Sequence, residues 1–363
     1  MPRVVGIDPG TLSIDLFGLD DGRIFLDHVF PTRSALSNPS QLVDLLQEIH
    51  RQAPLDLIVG PSGYGLPLIY AQKATDADLR LAFLGVPDDR FPVVEGTGFT
   101  ALVRLLGKMS IPVVLTPGVI HLPSVPDFRK ANRIDMGTAD KVCAAALALS
   151  ELAHRRGCRE DELSFIMLEL GGAFSAGVAV EKGRIVDGVG GTSGPVGIRA
   201  AGALDGEVAL LAGRFSKGLL LQGGVDSIDG GPRATESAWD LGSAGSHAFI
   251  EGAAKAAISL TISSPHASEV LLSGRAMTVP VIHDELISKI HRALPGLAVT
   301  ALAGFPAAAK HAAQGAALLG DGLTGGRSAG LVEAMGIRAA RGTVLDHLYI
   351  ISKERALKTL GLD

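Results

Sequence analysis

VVGIDPGTLSIDLFGLDDGRIF (residues 4–25) breaks an apolar strand with Asp8, Pro9, Gly10 and Thr11 and then resumes as a second strand. Two antiparallel strands need only a two-residue Asp-Gly or Asn-Gly turn, and one follows at Asp21-Gly22. The first turn therefore meets a different demand. Asp-Pro-Gly is good turn chemistry in its own right, because Pro9 presets φ and Gly10 accepts positive φ. It also suits a phosphate cradle, in which Gly10 bares its N–H, Thr11 adds a hydroxyl and Asp8 holds a hydrated cation. The stretch alone leaves both readings open.

A second copy of the pattern starts halfway along the chain. MLELGGAFSAGVAVEKGRIV (167–186) again runs acid, one residue, glycine, strand, a turn ending in Gly-Arg-Ile, and a third strand. The spacing predicts strands over 3–8, 12–19 and 22–29, and again over 163–172, 173–183 and 184–191. A duplicated domain follows. Between the copies lie helices over 39–53, 97–109 with Thr97 as N-cap, and 137–157, with buried strands over 55–60 and 111–117. After the second copy come helices over 245–263, 280–294 and 307–326 and strands over 269–274 and 297–303. Gly315 costs about 1 kcal/mol against Ala inside a helix, so a nucleotide or a neighbouring helix is expected to pack closely there.

With 363 residues and 47% apolar content the chain can build two cores. Its net charge of −5, free of like-charge blocks, argues against a general nucleic-acid or polybasic membrane surface. Asp8 and Asp15 interrupt any leader-like apolar run, and no later stretch of about 18 apolar residues would span a bilayer. Cys143 and Cys158, without a CxxC or a His pairing, suit a reducing cytoplasm better than a disulfide framework or a zinc site. A high glycine content with few aromatics favours ligands that meet backbone, such as nucleotides.

The two acid-headed glycine hairpins, each followed by a β-meander, together with EVLLSGRA (269–276), resemble the two phosphate motifs and the adenosine motif of the actin-like ATPase and sugar/acid kinase superfamily. PGVIHLPSVPDFRKANRIDMGTADK (117–141) and ELGGAFSAGVAVEKGRIVDGVGGTSGP (169–195) are similar to the family of predicted butyrate kinases. The resemblance implies an α/β, duplicated ribonuclease-H-like fold of two domains with an interdomain nucleotide cleft. Residues 1–160 would form the first domain and 161–327 the second. Residues 328–363 would be a helical segment packing back on the first. It further implies ATP and Mg²⁺ as cofactors, Asp8 as the metal-holding acid, Gly10 and Thr11 on one phosphate site, Gly171 and Gly172 on the other, Gly274 facing the adenosine and Arg275 over the base. Acetate and butyrate kinases carry His-Leu-Gly where this chain has Glu169-Leu170-Gly171, and a carboxylate there suits Mg²⁺ or its waters.

FRKANRID (128–135) places Arg129, Lys130 and Arg133 within five positions, with His121 upstream in the same loop. A carboxylate acceptor needs no base but does need a cation to offset its repulsion from the triphosphate, and Arg133 assisted by Arg129 or His121 is the first choice. A hydroxyl acceptor would need a base, for which Asp135 is the candidate, although an Asp so placed also serves as a helix cap. Tyr64, Leu66 and Leu68 in the loop 61–70 suit either an acyl pocket or interior packing. The expectation is an ATP-dependent kinase of a small carboxylate. The alternatives are a sugar or other hydroxyl kinase and a non-catalytic nucleotide-gated regulator. Expected partners are a nucleotide and a small acceptor, without nucleic acid or membrane, and homo-oligomerisation is left open.

Overall fold

The computed structural model describes residues 2–86, 93–213, 216–231 and 239–362. The chain falls into two compact units, one formed by Met1–Ile134, Thr138–Glu162 and Ala303–Asp363, the other by Asp135–Gly137 and Leu163–Leu302.

In the first unit, β1 (Arg3–Pro9), β2 (Ser13–Asp20) and β3 (Arg23–Pro31) form an antiparallel meander. Beside β1 lie β4 (Leu57–Pro61) and β6 (Val113–Thr116), both parallel to it, and the short β5 (Ile69–Tyr70) closes the edge, in the order β3-β2-β1-β4-β6-β5. Apolar runs such as Val4-Val5-Gly6-Ile7 are buried on both faces because helices cover both sides. One face is packed by α1 (Ser40–Gln52), whose Leu42, Val43, Leu46 and Ile49 recur at helical spacing and join Val5, Ile7 and Ile58 in a single core. Next to it lies α2 (Val93–Leu106), which begins four residues before the expected start and so takes Thr97 inside the helix. Gly98 does not break it, since the missing side chain makes room for Leu36.

The other face carries α3 (Ala139–Arg156), and the second unit contributes two further helices to the count, α4 (Ala244–Thr261) and α5 (Pro280–Ala293). Over β1 and against α3 lies α6 (His311–Leu323). Thus the helix expected near 307–326, read from sequence as the end of the second domain, groups with the first. So does the C-terminal stretch, which is helical only over Ala329–Met335, a short 3₁₀ turn and Lys353–Thr359.

The packing of α6 explains its glycine. A Cβ on Gly315 would overlap the Cys143 carbonyl of α3, and a Cβ on Gly6 of β1 would overlap the Ala313 carbonyl of α6. Backbone meets backbone on both sides. The Cys143 thiol is buried in the same layer, with its sulfur 3.6 Å from the Thr116 hydroxyl, and burial pushes it far above the ordinary thiol range.

The second unit repeats the meander with β7 (Phe165–Leu170), β8 (Ser175–Glu181) and β9 (Arg184–Val189), extended by parallel β10 (Glu269–Ser273) and β11 (Ala298–Ala301), in the order β9-β8-β7-β10-β11. Here α4 and α5 cover a core of Ile166, Leu168, Phe249, Val270 and Leu286. The repetition reaches the details. Asp21-Gly22 has φ of 48° and 75°, Lys182-Gly183 has 50° and 75°, and the meander bulges at Gly18/Leu19 in one unit and at the matching Ala179/Val180 in the other. Among the described residues no helix is long and apolar enough to cross a membrane.

In an open helix, Gly→Ala gains about 1 kcal/mol. At position 315 the added methyl must instead push α6 from α3, so Gly315→Ala should lose roughly 1–3 kcal/mol. Urea unfolding of the variant measures the sign directly, and a stabilised variant would remove the close helix contact from this account.

Candidate functional site

The turn between β1 and β2 is closed by the Gly10 N–H, which donates to Ser13 O at 2.9 Å, and it is braced by Thr32, whose hydroxyl donates to Gly10 O at 2.7 Å. The second hairpin closes in the same way, with Gly171 N–H donating to Phe174 O at 2.9 Å. These amides are spent inside the turns. Gly10 also leaves room for Lys310, whose Nζ a Cβ there would meet.

Lys310 is the residue that sequence reading missed. Asp8 stands directly across from Asp15 in the β1–β2 ladder, and both are buried, an arrangement that repels unless a cation intervenes. Lys310 Nζ lies 2.7 Å from Asp8 Oδ2 and 3.6 Å from Asp15 Oδ1 and donates to Ser13 O at 3.0 Å, while its backbone N–H donates to Asp15 Oδ2 at 2.8 Å. A fourth group, Asp140 in the first turn of α3, adds its field to Asp8 and is itself paired with Lys141 at 2.6 Å. Burial, opposed by Lys310 and reinforced by Asp140 and Asp15, raises the Asp8 carboxyl to about 6. Burial opposes ionisation of Asp140 too, but Lys141, Thr138 and Lys310 outweigh it and hold that carboxyl below the usual range. The signal for both new residues was faint: an Asp and a Lys, each at the head of an Ala-rich helix.

In the second unit Glu169, next to last in β7, is in register with Ser273 of β10, and Gly274 follows with φ of 98°, where a Cβ would meet the Leu170 backbone. Glu169, Gly171, Gly172 and Gly274 therefore share the carboxyl end of one sheet, and exposed Arg275 opens the 3₁₀ turn Arg275–Thr278 beside them. Thr11 is half-buried in the first turn. Gly315, a cofactor-binding candidate from the sequence, instead lies in the α3–α6 contact.

The loop and short helix between β6 and α3 carry the candidate cations and Asp135. Arg133 is exposed and Arg129 lies over the Phe128 ring, 5.4 Å from its centroid, whereas Lys130 and His121 are buried. Asp135 is buried with both oxygens engaged: Oδ1 accepts from Gly137 N–H at 3.2 Å, and Oδ2 accepts from the N–H and hydroxyl of Thr192, each at 2.9 Å. It staples the turn after β9 and does not cap α3, whose N-cap is Thr138. In the loop 61–70, Leu66 joins the core, while Tyr64 and Leu68 are half-buried. A small apolar cavity of about 20 Å³ lies nearby, lined by Ile7, Pro9, Gly60, Leu102 and Leu115 among others.

Among the described residues no cluster of three or more His, Cys, Asp or Glu forms a ready metal cage. Mg²⁺ bound with nucleotide uses one or two carboxylates, the phosphates and water, and the hard oxygens of Asp8 beside the partly exposed Lys310 fit that mode.

The model of the family described as "Protein of unknown function (DUF1464)" matches residues 6–350. The chain belongs to that family. No curated protein matches it in sequence. Among solved structures, a propionate kinase from Francisella tularensis superposes with a TM-score of 0.64 at 14% identity, covering 87% of this chain and 98% of that one. An acetate kinase from Porphyromonas gingivalis gives 0.58 at 10% identity over 87% and 98%, and one from Entamoeba histolytica 0.57 at 10% over 80% and 87%. The fold is that of the actin-like ATPase-type kinases, built from two ribonuclease-H-like units.

The raised Asp8 carboxyl has a signed consequence. The folded chain holds this proton more tightly than the unfolded chain, so stability falls as pH rises from the ordinary 3.8 towards about 6. Asp8→Asn cannot ionise, and its stability relative to wild type should climb by up to about 3 kcal/mol between pH 4 and pH 7. Urea unfolding of both proteins across that range checks this, and a difference that stays flat with pH would contradict it.

Proposed function

We propose that the protein is an ATP-dependent phosphotransferase whose acceptor is a small carboxylate. The carrying observation is the pair of acid-headed hairpins with identical turn closure, one bearing a lysine held between two buried acids. In this reading the first unit offers the Thr11 hydroxyl to a phosphate and Asp8 to the metal, and the second unit offers the Gly172 backbone to a phosphate, Gly274 and Arg275 to the adenosine and Glu169 to the waters of the metal. Mg²⁺, when bound, neutralises charge on the phosphates. Lys310 moves its ammonium from Asp8 to the transferring phosphoryl group, where fixed positive charge counts most.

A carboxylate oxygen attacks the γ-phosphorus while the bond to the β–γ bridging oxygen breaks, and ADP departs with that electron pair. No proton has to be removed, which agrees with Asp135 being fully engaged in structure. The apolar cavity beside Pro9 suits a methyl or methylene group of a short aliphatic acid, and the structural likeness to proteins named propionate and acetate kinases points the same way. The finer likeness to butyrate kinases belongs to this proposal. Nucleotide and acceptor are its only required partners, in the cytoplasm where ATP is supplied.

One observation favours a second reading. A hydroxyl acceptor would need a base, and Asp140 acts electrostatically on Asp8 and Lys310, although its own oxygens accept from the Thr138 hydroxyl and from Lys141 at 2.6 Å.

Short-chain acids should drive ADP release, with hydroxylamine trapping the acyl phosphate, and Lys310→Met should lower turnover by roughly 10²–10³-fold. If sugars or polyols drive ADP release instead, and Asp140→Asn abolishes it, the hydroxyl reading replaces the carboxylate one. Asp135→Asn should destabilise the fold by roughly 1–3 kcal/mol, because its new NH₂ group faces donors. Turnover per folded molecule should change little in that variant; a base at Asp135 would instead cost about 10²–10⁴-fold.

A further inference from the structure

The first unit buries two polar side chains to which the reaction as described gives no work. His121 closes the 3₁₀ turn Val119–His121 after β6 and is 1% exposed, and its ring nitrogens make no well-formed hydrogen bond among the described residues, the Gly118 backbone alone acting on the ring at close range. Lys130 ends the short helix Asp127–Lys130 and is 6% exposed. Its Nζ makes one hydrogen bond among the described residues, to Leu122 O at 3.1 Å, the carbonyl of the residue after His121. Burial lowers His121 to about 4, opposed by the Gly118 backbone and reinforced by the Lys130 charge, and burial lowers Lys130 as well. Buried polar groups are almost always satisfied, and a buried ammonium is normally paired. Two exceptions side by side mark a place where a partner arrives from outside.

The location is consistent with a ligand. Gly65, in the loop after β4, packs on the Gly118 backbone, where a Cβ would overlap Gly118 N and lie 3.1 Å from His121 Nδ1, and the Gly63 carbonyl in the same loop accepts from Ala139 N–H at the head of α3. His121 thus sits at the carboxyl ends of the parallel strands β4 and β6, the end at which β1 presents Asp8. Ligands of open α/β sheets bind at that end. The nearest charges beyond Lys130 are Asp127, Arg341 and Asp346, and none forms an ion pair with it among the described residues.

We propose that His121 and Lys130 receive the carboxylate group of the acceptor, the Lys130 ammonium meeting its charge and the His121 imidazole donating to one oxygen. This rests on the carboxylate-kinase reading and replaces Arg133 with Lys130 as the acceptor's cation. A carboxylate satisfies both groups at once, and its attraction to an ammonium is far stronger in a buried setting than beside an exposed arginine. A neutral alcohol would leave the buried charge uncompensated.

Lys130→Met keeps the volume and removes the charge. Without ligand the variant should unfold at a higher temperature than wild type, since an apolar chain replaces a poorly paired buried ion. Butyrate, added without nucleotide, should raise the wild-type midpoint and bind the variant at least tenfold more weakly, and butyramide should do neither. A variant that unfolds earlier and still binds butyrate would show that Lys130 merely props the Leu122 carbonyl. In the wild-type protein, the ¹⁵N resonances of the His121 ring should move on titration with butyrate at constant pH, a readout that needs no variant to fold. Ring signals that ignore butyrate, or respond only to inorganic phosphate, would overturn the assignment. If butyrate binds as described but no acyl phosphate ever forms, the site stands and the kinase reading falls.

Discussion

The first unit depends on a contact with no side chains in it. Because Gly6 and Gly315 present bare backbone, α6 lies against β1 on one side and α3 on the other. Such close packing multiplies dispersion contacts along the whole helix, and it leaves little freedom in where the helix begins. The start is what matters chemically. The residue before α6 is Lys310, and the depth of the helix over β1 decides that its ammonium reaches Asp8, with Gly10 giving it space.

That arrangement also accounts for the difference between the two otherwise matching hairpins. At the position across from the heading acid, the first has Asp15 and the second Ala176. A second buried carboxylate is tolerable only with a resident cation, so the lysine and the extra acid form a unit. The pair holds the hairpin in shape, and Lys310 itself remains 39% exposed. In the second hairpin the glycines and Gly274 bring the turns together at the carboxyl end of β7 and β10.

What could be read from the chain alone was what is encoded locally. Asp21-Gly22 and Lys182-Gly183 announce tight turns, the apolar runs announce buried strands, and the repeated Gly-Arg-Ile announces the duplication, because each needs only neighbouring residues. The surroundings of the candidate site residues were not legible where the physics is nonlocal. Nothing near Lys310 in sequence indicates Asp8, and nothing near Asp135 reveals that Thr192 and Gly190 will close around it. The cluster Arg129, Lys130 and Arg133 was visible as charge, but which member would be buried depended on how a four-residue helix turned. Gly315 was legible as a close approach, and only the fold could say that the partner was the α3 backbone.

The same contact gives the protein an internal witness. The Cys143 carbonyl is what Gly315 packs on, and the thiol of that residue lies sealed beneath, held protonated by its surroundings. A thiol in that condition is chemically silent towards alkylating reagents. It becomes reactive only when α3 and α6 part, so its rate of labelling in the folded protein reports the breathing of the layer that aims Lys310.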